Sequence, residues 1–176
     1  MTRYRMSIQM QNKSSYRVIG VDPGYDRVGI SILDNDRGKF SLLFSKCIVT
    51  NPKSDFYSRL NKIIIEIRSI IDEFDPDLMA IETLFLSKNQ KTAMRVAESR
   101  GAICLTAVER GVVIQELSPL QIKMSITGHG KSDKLQLMKM IRLMIKLDDK
   151  KRLDDEYDAI AIGLASTFPQ NITFAK

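Results

Sequence analysis

From Arg17 onward, short apolar runs closed by acids or turn residues alternate with longer stretches of helical periodicity. Arg17-Val18-Ile19-Gly20-Val21-Asp22 is an apolar run ending in an acid, and Pro23-Gly24 follows as turn chemistry. Val28–Leu33 predicts a second strand, Asp34–Gly38 a turn, and Phe40–Thr50 a third strand, which together make a meander. Leu60, Ile63, Ile64, Ile67, Ile70, Ile71 and Phe74 recur at three- and four-residue steps, the stripe of an amphipathic helix that Asp75-Pro76-Asp77 stops. Leu78–Glu82 reads as a short buried strand, again ending in an acid. A long helix is expected over Lys91–Arg110, closed by Gly111, and Val112–Leu117 is a fifth strand. Ser118-Pro119 opens a helix running to about Thr127, with serine as cap and proline at the first position. After the Gly128–Lys131 loop, Ser132 is expected to cap a helix with Leu135, Met138, Ile141 and Ile145 on one face. A charged connection, Asp148–Arg152, leads to a final helix from about Leu153 to Ser166. The order βββαβα β, then helices, predicts an α/β fold with a five-stranded mixed sheet and helices on both faces. No internal linker divides residues 17–176, which read as a single domain behind a basic, disordered extension over residues 1–16.

Composition narrows the function. The chain has 176 residues, 44% of them hydrophobic and 27% charged, enough for one domain with its own core. Its two cysteines, Cys47 and Cys104, lie in apolar runs, which excludes a disulfide scaffold or a cysteine-rich zinc module. A single histidine, His129, excludes a two-histidine metal set. No apolar run reaches the roughly 20 residues of a membrane span. The first 21 residues carry Arg3, Arg5, Lys13 and Arg17 and no acid; they have the charge of a transit peptide but not its apolar face, so an intracellular protein with reduced thiols is expected. A net charge of +6 favours an anionic partner, nucleic acid first. Most of that excess lies between Gly111 and Leu153, where nine bases face four acids, and contacts to a nucleic-acid backbone are expected there.

Four acids stand out by position. Asp22 and Glu82 end the first and fourth strands; Asp155 and Asp158 stand three apart on the first turn of the last helix and share a face. Each alone also fits a turn, a solvated strand end or a helix-terminal charge. Jointly, three elements each deliver a carboxylate where strand ends and one helix could meet. Such a cluster repels itself unless cations neutralise it, and hard divalent ions bind oxygen-rich sites of this kind. Two ions about 3.5–4 Å apart can activate water and stabilise the leaving oxygen of a phosphodiester.

With these residues in hand, the sequence resembles the RuvC family of Holliday junction resolvases, which have the ribonuclease H-like fold. The resemblance runs from about Arg17 to Thr167 and is carried by four ordered blocks: VIGVDPGYDRVGISILD, AIETLFLSKNQKTAMRVAESRGAI, SPLQIKMSITGHGKSDK and DEYDAIAIGLA. It implies that Asp22, Glu82, Asp155 and Asp158 are the catalytic acids and hold two Mg²⁺ ions, with Mn²⁺ able to substitute. It implies a homodimeric endonuclease that nicks opposing strands of a four-way DNA junction and leaves 5′-phosphates, with a RuvA/RuvB-type branch-migration complex as a candidate partner that the sequence leaves open. By the same resemblance Phe85 handles bases near the junction, Lys123 contacts phosphate and stabilises charge at the scissile bond, and Lys134 contacts phosphate. Lys131 is a further candidate DNA contact in the same basic stretch. His129 is expected to be exposed and non-catalytic. The sequence departs from the family in the residues before the first strand and in the bulky Glu156-Tyr157 pair between the terminal acids.

Three other functions compete. A YqgF-like nuclease acting on structured RNA shares the DxGxxRxG-type start seen from Asp22 to Gly29. A non-catalytic junction-binding protein is disfavoured by the presence of all four acids. An actin-like nucleotide-binding domain needs phosphate loops that are absent from the sequence.

Overall fold

A computed structural model describes residues 14–84 and 90–168. Five strands form one mixed sheet in the order β3-β2-β1-β4-β5. They are β1 (Ser15–Asp22), β2 (Arg27–Asp36), β3 (Lys39–Val49), β4 (Leu78–Glu82) and β5 (Val113–Leu117). β1, β2 and β3 pair antiparallel, as the short turn-rich connections require, whereas β4 runs parallel to β1 and β5 to β4. The sheet and its element order are those expected. β1 begins at Ser15, whose partner is Asp36, two residues before the anticipated start.

Helices cover both faces. α1 (Phe56–Phe74) and α2 (Gln90–Glu109) pack on one, through Ile63, Ile67, Ile71, Ile103 and Ala107 against Ile19, Val21, Ile30 and Ile81. α3 (Pro119–Thr127), α4 (Lys134–Met144) and α5 (Asp154–Ala165) cover the other, through Ile122, Ile141 and Ile160 against Val18, Leu33 and Ala80. Both faces are buried, which is why β1 and β4 read as continuous apolar runs rather than as alternating ones. Strand alternation also fixes where the acids point. Val21 and Ile81 belong to the α1/α2 side, so Asp22 and Glu82, one residue on, lie toward the α5 side.

The caps explain the boundaries. Asp55 caps α1 by accepting from the Ser58 amide, and Asp75 ends it in the left-handed region at φ 45°. Ser118 and Gln121 form the capping box of α3, with Pro119 at its first position and Gly128 closing it at φ 75°. α4 departs from expectation in two ways. Its cap is Asp133, boxed with Gln136, because the Ser132 hydroxyl is taken up by the His129 carbonyl and by Thr127. Its buried stripe is Leu137, Ile141 and Ile145, at four-residue steps, and Leu135 is 70% exposed. α5 is more enclosed than a one-sided helix: every residue from Ala159 to Ala165 is buried, because it lies between the sheet and the α3/α4 layer.

Candidate active site

Parallel pairing of Val21 with Ile81 sets the carboxyl ends of β1 and β4 side by side, so Asp22 and Glu82 emerge from adjacent strands. α5 then crosses β1 and β2 at unusually short range. A Cβ on Gly20 would stand 2.3 Å from the Ala159 carbonyl, and one on Gly29 would stand 1.9 Å from the Asp155 carbonyl. The missing side chains at these two positions, and at Gly163 on the helix itself, let the helix sit so low. The Ser31 hydroxyl ties it down further by donating to the Ala159 carbonyl at 2.9 Å. This seating brings the first turn of α5, with Asp155 and Asp158, to the ends of β1 and β4.

Asp22, Glu82 and Asp158 line one cleft of about 200 Å³, walled by Lys123, Ile122 and Leu137 among others. Burial and the neighbouring charges of Asp158, Glu82 and Asp155 push the Asp22 carboxyl up to about 7, with Lys134 partly offsetting them. Glu82 is raised by burial and by Asp158, against the pull of Lys123. Asp158 is raised by burial, although Lys134 donates to it at 3.2 Å. These carboxylates are therefore held where two or more negative charges are costly without a cation.

Asp155 adds a separate sign of a missing partner. Its Oδ2 is buried and accepts no hydrogen bond, with the Arg27 guanidinium 3.6 Å away. Among the described residues, no three acidic, histidine or cysteine side chains close into a ready cage, and Lys134 bridges Asp154 and Asp158. The donor set is nonetheless all oxygen, which fits a hard divalent ion, and a buried Oδ2 without a hydrogen bond beside three carboxyls raised above their ordinary range fits a site that such ions complete.

Of the other sequence candidates, Lys123 walls the cleft and Lys134 stands at its rim beside Asp158. Lys131 and His129 are exposed in the α3–α4 loop and touch none of the four acids. Phe85 lies outside the described residues.

Several groups at the site escape sequence reasoning. Arg27, paired with Asp155, is the arginine of the DxGxxRxG pattern, so a signal for it existed. Cys47 borders Asp155, and burial, then the Asp155 charge, pushes its thiol up to about 11, so it is not a thiolate nucleophile at neutral pH. Glu156 is buried, not a solvated helix-terminal charge. Its carboxylate accepts from Ser45 at 2.7 Å and Lys150 at 3.2 Å, while Arg152 donates to the same Ser45 hydroxyl at 2.9 Å. This network moors the charged 148–153 connection to β3 and so fixes where α5 begins. Nothing in a single sequence distinguishes such a glutamate from a dipole-compensating one.

Comparison with known proteins agrees with this geometry. Residues 18–166 match the family model described as crossover junction endodeoxyribonuclease RuvC. A protein of that description from Finegoldia magna is 41% identical over 86% of this chain and 93% of its own length. One from Thermosipho melanesiensis is 40% identical over 84% of this chain and 94% of its own. A solved structure of T. thermophilus RuvC in complex with a Holliday junction substrate superposes with a TM-score of 0.80 at 28% identity, over 85% of this chain and 92% of that one. With its mixed sheet, its acids at the ends of β1 and β4 and its low-seated α5, the chain belongs to the RuvC family of crossover junction endodeoxyribonucleases.

Proposed function

We propose that the protein resolves four-way DNA junctions by metal-dependent hydrolysis of opposing strands, with Asp22, Glu82, Asp155 and Asp158 as its ion-holding acids. The observation that carries this reading is the convergence of Asp22, Glu82 and Asp158 on one cleft, with a buried Asp155 oxygen that lacks a hydrogen bond beside them. The ions are Mg²⁺ or Mn²⁺, two per site, and when bound they supply the Lewis acid that polarises the phosphate and lowers the pKa of water, leaving a 5′-phosphate. Asp22, which feels the charges of Asp158, Glu82 and Asp155 together, would gain most from a bound cation and would be its central ligand. Lys123, on the cleft wall facing Glu82, is positioned to offset charge that develops on the phosphate. Lys134 blunts the repulsion among the acids in the free protein and exchanges that contact for a DNA phosphate when the junction docks.

Paired nicks call for two sites, hence a homodimer. The outward stripe of α2 supports one: Met94, Leu105 and Val108 are exposed, and Gly101 between them has open space above it. At 100° per residue these four fall within about 60° of one another. A branch-migration complex of the RuvA/RuvB type is the expected source of junctions. No helix among the described residues is long and apolar enough to cross a membrane.

The test is cleavage of a labelled four-way DNA junction with Mg²⁺, beside linear duplex of the same sequence and a structured RNA. Symmetric nicks in the junction alone are expected. Tight junction binding without cleavage would turn the reading toward a binding protein, and preferential cleavage of the RNA toward a YqgF-like nuclease. Lys134→Ala is expected to weaken junction binding about tenfold and to reduce the slope of log affinity against log salt by about 0.9. An unchanged slope in a salt titration would remove the phosphate contact assigned to Lys134.

A further inference from the structure

Arg59 is an anomaly on α1. It stands in the helix's buried set with Ile63, Ile67, Ile70 and Ile71, and it is only 8% exposed. A buried guanidinium is a poor way to stabilise a helix–sheet interface, which an apolar side chain of similar volume fills at less cost. What Arg59 touches accounts for it. Its Nε donates to the Thr50 hydroxyl at 2.9 Å, its Nη2 donates to the Tyr25 carbonyl at 3.2 Å and to the Asp26 carboxylate, and the guanidinium lies 4.8 Å from the centre of the Tyr25 ring. Thr50 passes the contact on, its hydroxyl donating to the Tyr25 carbonyl at 2.8 Å and its amide to the Asp26 carbonyl at 3.0 Å. From the other side the fully buried Ser99 of α2 donates to the Gly24 carbonyl at 2.7 Å.

Three successive carbonyls, of Gly24, Tyr25 and Asp26, are thus gripped by groups from α2, α1 and the end of β3. The gripped turn has Asp22 at one end and Arg27, the partner of Asp155, at the other. We propose that Arg59 and Ser99 are positioning residues that clamp the β1–β2 turn and thereby set Asp22 to hold an ion and Arg27 to hold Asp155. The clamp rests on the proposed role of the acids, acts through Asp22 and Arg27, and touches neither ion nor DNA.

The experiment compares Arg59→Met, Arg59→Lys and Ser99→Ala with wild type in three readouts: Mn²⁺ binding to the DNA-free protein by calorimetry, junction cleavage at saturating junction, and the melting temperature. Outer-shell partners of this kind carry about 10- to 100-fold in ion affinity or rate. Arg59→Met is expected to weaken Mn²⁺ binding and slow cleavage by about that factor while junction affinity holds. Arg59→Lys is expected to recover part of both, because an ammonium still reaches a carbonyl but cannot span the fork. Ser99→Ala, which removes one hydroxyl and adds no bulk, is expected to lose several-fold in both and remain folded. A fall in melting temperature with Mn²⁺ affinity and cleavage both within twofold of wild type would overturn the clamp. So would that result for Ser99→Ala alone if Arg59→Met fails to fold. A wild-type protein that binds Mn²⁺ but cleaves no junction would overturn the proposed function and leave the Mn²⁺ comparison to decide the clamp.

Discussion

Asp22→Asn is expected to abolish junction cleavage, by about 10³-fold or more, while leaving junction binding intact and making the ion-free protein more stable. A 10³-fold loss corresponds to about 4 kcal/mol of transition-state stabilisation, the scale of an essential ion ligand. Binding survives because the carboxylate repels phosphate and its loss removes no DNA contact. The stability gain follows from the raised carboxyl. Burial, then Asp158, Glu82 and Asp155, hold Asp22 at about 7 in the folded protein against an ordinary value near 3.8. Between those values the folded state binds more protons than the unfolded one, so wild-type stability falls as pH rises from about 4 to about 7 and stays lowered above that. Asparagine carries no charge to penalise. The variant's advantage is therefore nil near pH 4 and reaches about 2–4 kcal/mol above pH 7, roughly 5–10 °C in melting temperature for a domain of this size. Divalent ions reverse the order, since they relieve the wild-type carboxylates and find a weaker site in the variant. Melting curves at pH 4.5 and 8, with and without Mn²⁺, together with a junction-cleavage assay, test this. Retained Mg²⁺-dependent cleavage, or a variant less stable than wild type at pH 8 without ions, would remove Asp22 from the centre of the site.

The element order and the strand-end positions of Asp22 and Glu82 are legible for a shared reason: each is written as a local pattern whose meaning survives folding. An apolar run buried on both faces and closed by an acid says the same thing in the chain as in the sheet, which holds for Val18–Asp22 and Leu78–Glu82. Ser118-Pro119 likewise states its cap outright. What was not legible depends on contacts between distant segments. Glu156 reads as a helix-start acid until Ser45, 111 positions away, is found donating to it. Arg59 breaks the stripe of α1 in a way that looks like a solvated position, and its partners come from the turn after β1 and the end of β3. α4 misled at close range. Two polar residues, Ser132 and Asp133, compete for its cap, and the loop's demand for a hydroxyl decides between them. Gly20 and Gly29 carry no signal of their own inside these apolar runs, and only the path of α5 shows what they admit.

That path supports the second large effect. Gly29→Ala is expected to lower cleavage by about 10²-fold or more, a larger loss than its effect on stability alone explains. Gly29 lies in regular antiparallel pairing with Asp22 and Cys47, so alanine meets no backbone strain of its own. The obstacle is contact: the new Cβ would stand 1.9 Å from the Asp155 carbonyl oxygen and 2.6 Å from its carbon. These are backbone atoms, and no rotamer change relieves them. The first turn of α5 must rise by an ångström or more, carrying Asp155 and Asp158 away from Asp22 and Glu82. Overpacking of this kind costs about 1–3 kcal/mol, which leaves a protein of ordinary stability folded. A displacement of about 1 Å between reacting groups is worth 10²-fold in rate. The same movement pulls Glu156 against its anchors at Ser45 and Lys150, so the helix cannot simply slide as a rigid body. Circular dichroism, a melting curve, Mn²⁺ calorimetry and cleavage at saturating junction separate the two effects. A folded Gly29→Ala protein with weakened Mn²⁺ binding and lost cleavage is the expected result. Wild-type cleavage from it would mean that α5 does not sit on β2 at this height, and the seating of the Asp155/Asp158 pair would have to be assigned to other contacts.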